Sequence, residues 1–170
     1  MNEALERLNS LSREDAEAEL LKCCGSTLWA RRMATARPFQ DHDALIASAD
    51  SIWWALEKED WLEAFSRHPK IGEKESAAAQ AARARQWSEQ EQAGTTSAGD
   101  ETRRSLVAAN EEYAQRFGHI YIVCATGKTA DEMLTILQGR LGNDPEKEIR
   151  IAAEEQRKIT HLRLQKLLAN

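Results

Sequence analysis

Ile120-Tyr121-Ile122-Val123-Cys124 is the only strongly β-type run in the 170 residues, and its isolation decides the fold. Five such residues cannot form a sheet alone, and no partner strand is visible. The run therefore reads as a short extended, buried segment near 120–124 inside an all-α, single-domain helical bundle spanning 1–170. Its main-chain amides and carbonyls lack sheet partners, which makes Tyr121, Ile122, Val123 and Cys124 candidates for recognition through backbone hydrogen bonds.

The surrounding sequence is punctuated as helices. Upstream, 101–117 carries Leu106, Val107, Ala109, Asn110 and Tyr113 at helical spacing and ends at Gly118. Downstream, Thr129-Ala130-Asp131-Glu132 is a capping box that opens a helix to about Leu141, with Gly142 as its terminator. Asp144-Pro145 starts a last helix over 145–168, about 36 Å long and enough to cross a whole domain. Toward the N-terminus, Ser12 caps a helix running to about Cys24 with Gly25 as its stop, and Ser26 caps 27–36 ahead of Pro38. Asp41 or Asp43 opens an amphipathic segment with Leu45, Ile46, Ala49, Ile52, Trp53 and Leu56, and Trp53, Trp54 and Trp61 read as core anchors. The alanine-rich, charged stretch 73–86 reads as a solvated helix suited to a lid, and 94–99 as a loop.

The segment 61–72, WLEAFSRHPKIG, is a helix with Asp60 as its cap that stops at His68-Pro69, because proline disfavours a helical residue before it. His68 is thus held at a helix exit, either as a working imidazole or as a partner of its own helix carbonyls. Ser88, Glu91 and Gln92 fall at i, i+3 and i+4, a donor, a carboxylate and an amide on one side of a helix. Ser-x-x-Glu is also a capping box, and both readings are open. On the last helix, Ile149, Ala152, Gln156, Ile159, Arg163 and Leu167 form one stripe, which puts an arginine among core positions. Its planar fork suits a carboxylate or a pair of carbonyls, unless the side chain snorkels to water.

Composition narrows the function classes. With 23 Lys+Arg against 28 Asp+Glu, the net charge of −5 argues against general nucleic-acid or anionic-membrane binding. No apolar run approaches the roughly 20 residues of a membrane span, and Met1-Asn2-Glu3 does not begin a signal peptide. The three cysteines lack paired spacing, which fits reduced thiols in a cytoplasmic compartment. His42, His119 and His161 make no metal-ligand spacing, and no glycine-rich phosphate loop or nucleophile elbow is present. Neither a metal nor a nucleotide cofactor is indicated.

Gly25-Ser26 with Trp29-Ala30, Arg37-Pro38-Phe39, His68-Pro69-Lys70-Ile71-Gly72, Ser88 with Glu91-Gln92, Asn110 and Tyr113 leading to Phe117-Gly118, and Lys158-Ile159 with Arg163-Leu164 are each weak motifs. In this order and spacing the chain resembles the family of 2-oxo-4-hydroxy-4-carboxy-5-ureidoimidazoline (OHCU) decarboxylase, which completes the route from urate to (S)-allantoin. The resemblance covers nearly the whole chain. It implies an all-helical, cofactor-free, homodimeric enzyme that decarboxylates OHCU. The catalytic histidine and glutamate of the family match His68 and Glu91. Its substrate-holding serine, glutamine and arginine match Ser88, Gln92 and Arg163, with backbone near Pro69 and in Tyr121, Ile122, Val123 and Cys124 completing the pocket. One departure stands out: many members carry Phe-Pro-Phe after the Phe-Gly pair, where this chain has His119-Ile120-Tyr121. The competing readings are a related decarboxylase acting on a different ring and a non-catalytic helical interaction module.

Overall fold

A computed structural model describes residues 2–69 and 99–169 of the chain. Among these residues there are eight helices and no strand. The helices are α1 (Glu3–Ser10), α2 (Arg13–Leu21), α3 (Thr27–Ala36), α4 (His42–Trp54), α5 (Lys58–Ser66), α6 (Asp100–Phe117), α7 (Ala130–Arg140) and α8 (Pro145–Ala169). The all-α expectation is met, and residues 120–125 are non-helical and pair into no sheet. The readings of 73–86 as a helix and of 94–98 as a loop lie outside the described residues.

The chain divides into two compact units, 1–64 with 157–170 and 65–156, and the boundary falls within α5 and α8. In the first unit, α3 packs on both α2 and α4. Ser26 caps α3 by accepting from the Trp29 amide at 3.1 Å, and Asp41 caps α4 by accepting from the Ala44 amide at 2.8 Å. Trp53 and Trp61 anchor this core as expected, whereas Trp54 is exposed; Trp61 Nε1 donates to the Trp53 carbonyl at 3.0 Å, and the buried Trp29 donates from Nε1 to the Ala49 carbonyl at 3.2 Å. Each donating indole thus buries its ring while its single polar atom finds a partner. Arg37 spans two helix ends, with Nε on the Ala34 carbonyl and Nη1 on the Leu8 and Leu11 carbonyls at 2.7 and 2.8 Å. Those last carbonyls have no partner inside their own helix.

Several points differ from the sequence reading. Helix α1 was not anticipated; Asn2 caps it by accepting from the Ala4 and Leu5 amides and donates to the Leu168 carbonyl at 3.1 Å. Helix α2 ends at Leu21 rather than near Cys24, and its cap Lys22 stays in the right-handed region, so Gly25 is not its terminator. Asp60 lies in the first turn of α5 and reaches back to accept from the Glu57 amide at 3.2 Å. It therefore acts from inside the helix rather than as its cap. Helix α7 stops where expected, at Arg140 with Leu141 as its cap, but Gly142 follows the cap without the left-handed backbone of a glycine terminator.

The second unit is built on α6 against α7. Its core joins Leu106, Ala109 and Tyr113 of α6, Tyr121, Val123 and Ala125 of the extended segment, and Ala130, Met133 and Leu137 of α7. Gly118 ends α6 in the left-handed region at φ 78°, which glycine adopts without a Cβ penalty. Thr129 and Glu132 make the reciprocal capping box of α7.

Candidate active site

His68 stands two residues beyond α5, with its amide donating to the Phe65 carbonyl at 3.2 Å. Pro69 follows and offers no amide to continue the helix. The imidazole is half-buried, and its Nε2 lies 2.6 Å from Oε1 of Gln156, a fully buried residue of α8. His119 has a different setting. Its ring packs among Phe65, Tyr113 and Phe117, and Nδ1 bonds the Ile120 carbonyl at 2.9 Å. That aromatic enclosure gives His119 a packing role.

All of Tyr121, Ile122, Val123 and Cys124 are buried. Side chains supply much of what a sheet would have given their backbone. The Ile122 carbonyl accepts from Arg140 Nη1 at 2.7 Å, the Cys124 amide donates to Glu155 Oε1 at 3.1 Å, and the Cys124 carbonyl accepts from Lys128 Nζ at 2.7 Å. The expectation that this backbone stands unpartnered is therefore corrected at Ile122 and Cys124, because buried main-chain groups must find partners somewhere. The Tyr121 hydroxyl donates to the Met133 carbonyl at 3.0 Å, and burial pushes its ionisation upward.

Behind the segment lies a buried polar network. Glu148 is fully buried; it accepts from Arg140 Nε at 2.8 Å, from Asn143 Nδ2 at 3.0 Å and from the Tyr113 hydroxyl. The Arg140 guanidinium also faces the Tyr121 ring, 4.9 Å from its centroid. Burial, and then the hydrogen bond to Glu148, hold the Tyr113 phenol far above its ordinary ionisation range.

In the first unit, Arg163 is 5% exposed, which removes the snorkelling reading. Its Nη1 donates to the Lys22 carbonyl at 3.3 Å. The Cys24 thiol in this neighbourhood is pushed up to about 11, chiefly by burial, against the opposing pull of the Ser26 backbone, the Thr160 side chain and Arg163. All six members of the predicted stripe, Ile149, Ala152, Gln156, Ile159, Arg163 and Leu167, are buried. Ser88, Glu91 and Gln92 lie outside the described residues. Among the described residues no group of three His, Cys, Asp or Glu side chains is placed to hold a metal ion, and no helix is long and apolar enough to cross a membrane.

Sequence reasoning gave no role to Gln156, Glu155, Glu148 or Arg140. For Glu148, Glu155 and Gln156 the available signal was a set of polar side chains on the inward face of α8, where apolar residues would be expected.

Among the described residues, fold and site together define a helical protein whose helix-exit histidine is held by an amide from α8. A family model described as OHCU decarboxylase matches residues 9–165, and the chain belongs to that family. The crystal structure of OHCU decarboxylase in the presence of (S)-allantoin is 37% identical, with a TM-score of 0.76 over 89% of this chain and 98% of that one. The uric acid degradation bifunctional protein TTL of Arabidopsis thaliana is 42% identical over 163 residues, which is 94% of this chain and 49% of that protein. The OHCU decarboxylase of Amia calva is 43% identical over 82 residues, 47% of this chain and 46% of that protein. The chain thus spans about half the length of the curated relatives it matches.

Proposed function

We propose that this chain is a single OHCU decarboxylase-like domain that converts OHCU to (S)-allantoin in urate breakdown, without a cofactor, as a cytoplasmic homodimer. The observation that carries the reading is likeness along 98% of a solved OHCU decarboxylase chain at 37% identity. The family match over 9–165 supports treating the chain as one domain.

The chemistry asks little of the protein beyond geometry and one proton. The bond from the ring carbon to its carboxylate breaks and carbon dioxide leaves. The electron pair left behind passes into the adjacent unsaturated ring, which is its own electron sink. The hydroxyl on that carbon gives up its proton and becomes the ring carbonyl, while a proton arrives on one face only of the neighbouring ureido-bearing carbon, which sets the (S) configuration. The enzyme contributes orientation and stabilisation of the developing enolate-like charge. His68 with Glu91 engages the hydroxyl and carboxylate region of the substrate and handles the proton. Ser88, Gln92 and Arg163 hold the ring and ureido group, and backbone near Pro69 and in Tyr121, Ile122, Val123 and Cys124 closes the pocket. A buried guanidinium at Arg163 suits an anionic, carbonyl-rich ligand.

The test uses OHCU generated freshly from urate with uricase and hydroxyisourate hydrolase. Ultraviolet decay of the intermediate is followed, and the allantoin is resolved on a chiral column. The wild-type chain is expected to accelerate decay and yield (S)-allantoin, and His68→Asn to lower the rate by about 10²–10⁴-fold. An unchanged racemic product from wild-type protein rejects the decarboxylase reading. Light scattering tests the dimer.

A further inference from the structure

We propose that Gln156 is the positioning residue of His68: its amide oxygen fixes the imidazole as the Nε2–H tautomer and so makes Nδ1 the nitrogen that gains and loses the working proton. The assignment rests on the reading of His68 as the acid–base group.

The geometry is specific. Oε1 of Gln156 lies 2.6 Å from Nε2 of His68, and an amide oxygen only accepts. Nε2 must therefore carry a proton in both the neutral and the cationic ring. A bare Nε2 at that distance would set two lone pairs against each other. With Nε2 committed to donation, the neutral and charged forms of His68 differ by the proton on Nδ1.

Two further observations support a dedicated role. Gln156 is fully buried on a helix face it shares with Ile149, Ala152 and Ile159, and a buried amide is costly unless hydrogen-bonded. The backbone at His68 is set by its bond to the Phe65 carbonyl and by Pro69, so what the Gln156 contact acts on is the orientation of the ring. A neutral amide achieves this without adding charge; a carboxylate in its place would favour the imidazolium. The neighbouring Glu155 holds the Cys124 amide at 3.1 Å, so consecutive residues of α8 secure the histidine and the extended segment.

The experiment takes the full chain labelled with ¹⁵N-histidine and reads ring tautomers from long-range proton–nitrogen spectra, with His68→Asn assigning the signal. Wild-type His68 is expected to show a protonated Nε2 and a bare Nδ1 above its titration. Gln156→Met keeps the size and removes the acceptor. The tautomers should then mix, and kcat should fall by about tenfold to a hundredfold with KM little changed, the signature of misorientation rather than lost binding. Gln156→Glu should restore the Nε2–H form and move the acid limb of kcat to higher pH, which a merely structural residue would not do. An Nδ1–H ring in wild type, or a Gln156→Met protein that keeps both tautomer and kcat, overturns the assignment. The spectra need no substrate. A chain inactive on OHCU whose tautomer still depends on Gln156 would therefore sink the decarboxylase reading and leave the hold on His68 standing.

Discussion

Arg140 Nη1 donates to the Ile122 carbonyl at 2.7 Å, so a guanidinium occupies the position that a neighbouring strand's amide would have taken. The same side chain is paired with Glu148, which is 0% exposed. One arginine thereby couples the only β-type run of the chain to α8 and makes a strand without a sheet tolerable.

Replacing Arg140 by leucine should destabilise the protein strongly. It removes the donor to Ile122 and leaves the Glu148 carboxylate buried opposite only neutral donors, Tyr113 and Asn143. The expected loss is about 3–5 kcal/mol, the usual cost of stranding one partner of a buried pair. The double change Arg140→Met with Glu148→Leu should cost less than the two single changes added together. Urea unfolding at unchanged m measures both; an Arg140→Leu loss below about 1 kcal/mol would refute the coupling.

Glu155 is predicted to hold the Cys124 amide through its acceptor oxygen. Glu155→Gln retains an oxygen that can reach that amide and should keep it hydrogen-bonded. Glu155→Ala leaves that buried amide without this acceptor and should cost about 1–3 kcal/mol. Amide hydrogen exchange at Cys124 separates the two variants, since protection there should drop in the alanine protein and persist in the glutamine one.

The parts of the fold legible in the sequence were those set by chemistry a few residues wide. Ser26, Asp41 and Thr129 announce their helices because the capping oxygen and the amide it satisfies lie within three positions of each other. The exit of His68 was readable for the same reason, through Pro69. Helix α1 escaped notice because much of what secures it comes from far along the chain: Asn2 reaches Leu168, and Arg37 reaches Leu8 and Leu11. Gly25 and Gly142 misled because glycine is needed only where φ is positive, and among the described residues that holds at Gly118 and Gly127 alone. Gln156 lies 88 positions from His68, and no local pattern ties an amide in a helical stripe to a distant imidazole.

Two glycines should respond to alanine with opposite signs. Gly118 has φ 78°, and a Cβ there would meet nothing within 4 Å, so Gly118→Ala should cost about 1–2 kcal/mol from backbone strain alone. Gly139 lies inside α7, where a Cβ likewise meets nothing, and Gly139→Ala should stabilise by about 0.5–1 kcal/mol through helix propensity. Paired thermal melts decide both, and a shift of the same sign in the two variants would contradict this account.

Cys24 gives the fold an alkaline limit whose sign follows from linkage. Burial raises its thiol from the ordinary 9.0 to about 11 in the folded chain. Below pH 9.0 both states keep the proton, and the folded state's preference for the neutral thiol is fully in force. As pH rises toward about 11 the unfolded chain releases the proton first, so the unfolded state is favoured and stability falls across that window. Two units of separation correspond to about 2–3 kcal/mol. Tyr113 and Tyr121, also raised by burial from the ordinary 10.0, add to the decline from about pH 10 upward in any variant that retains them. Comparing urea midpoints of wild type and Cys24→Ala from pH 8 to 11 isolates the thiol. The wild-type curve should fall by about 2–3 kcal/mol more than the alanine curve, and parallel curves would show that Cys24 does not carry the shift.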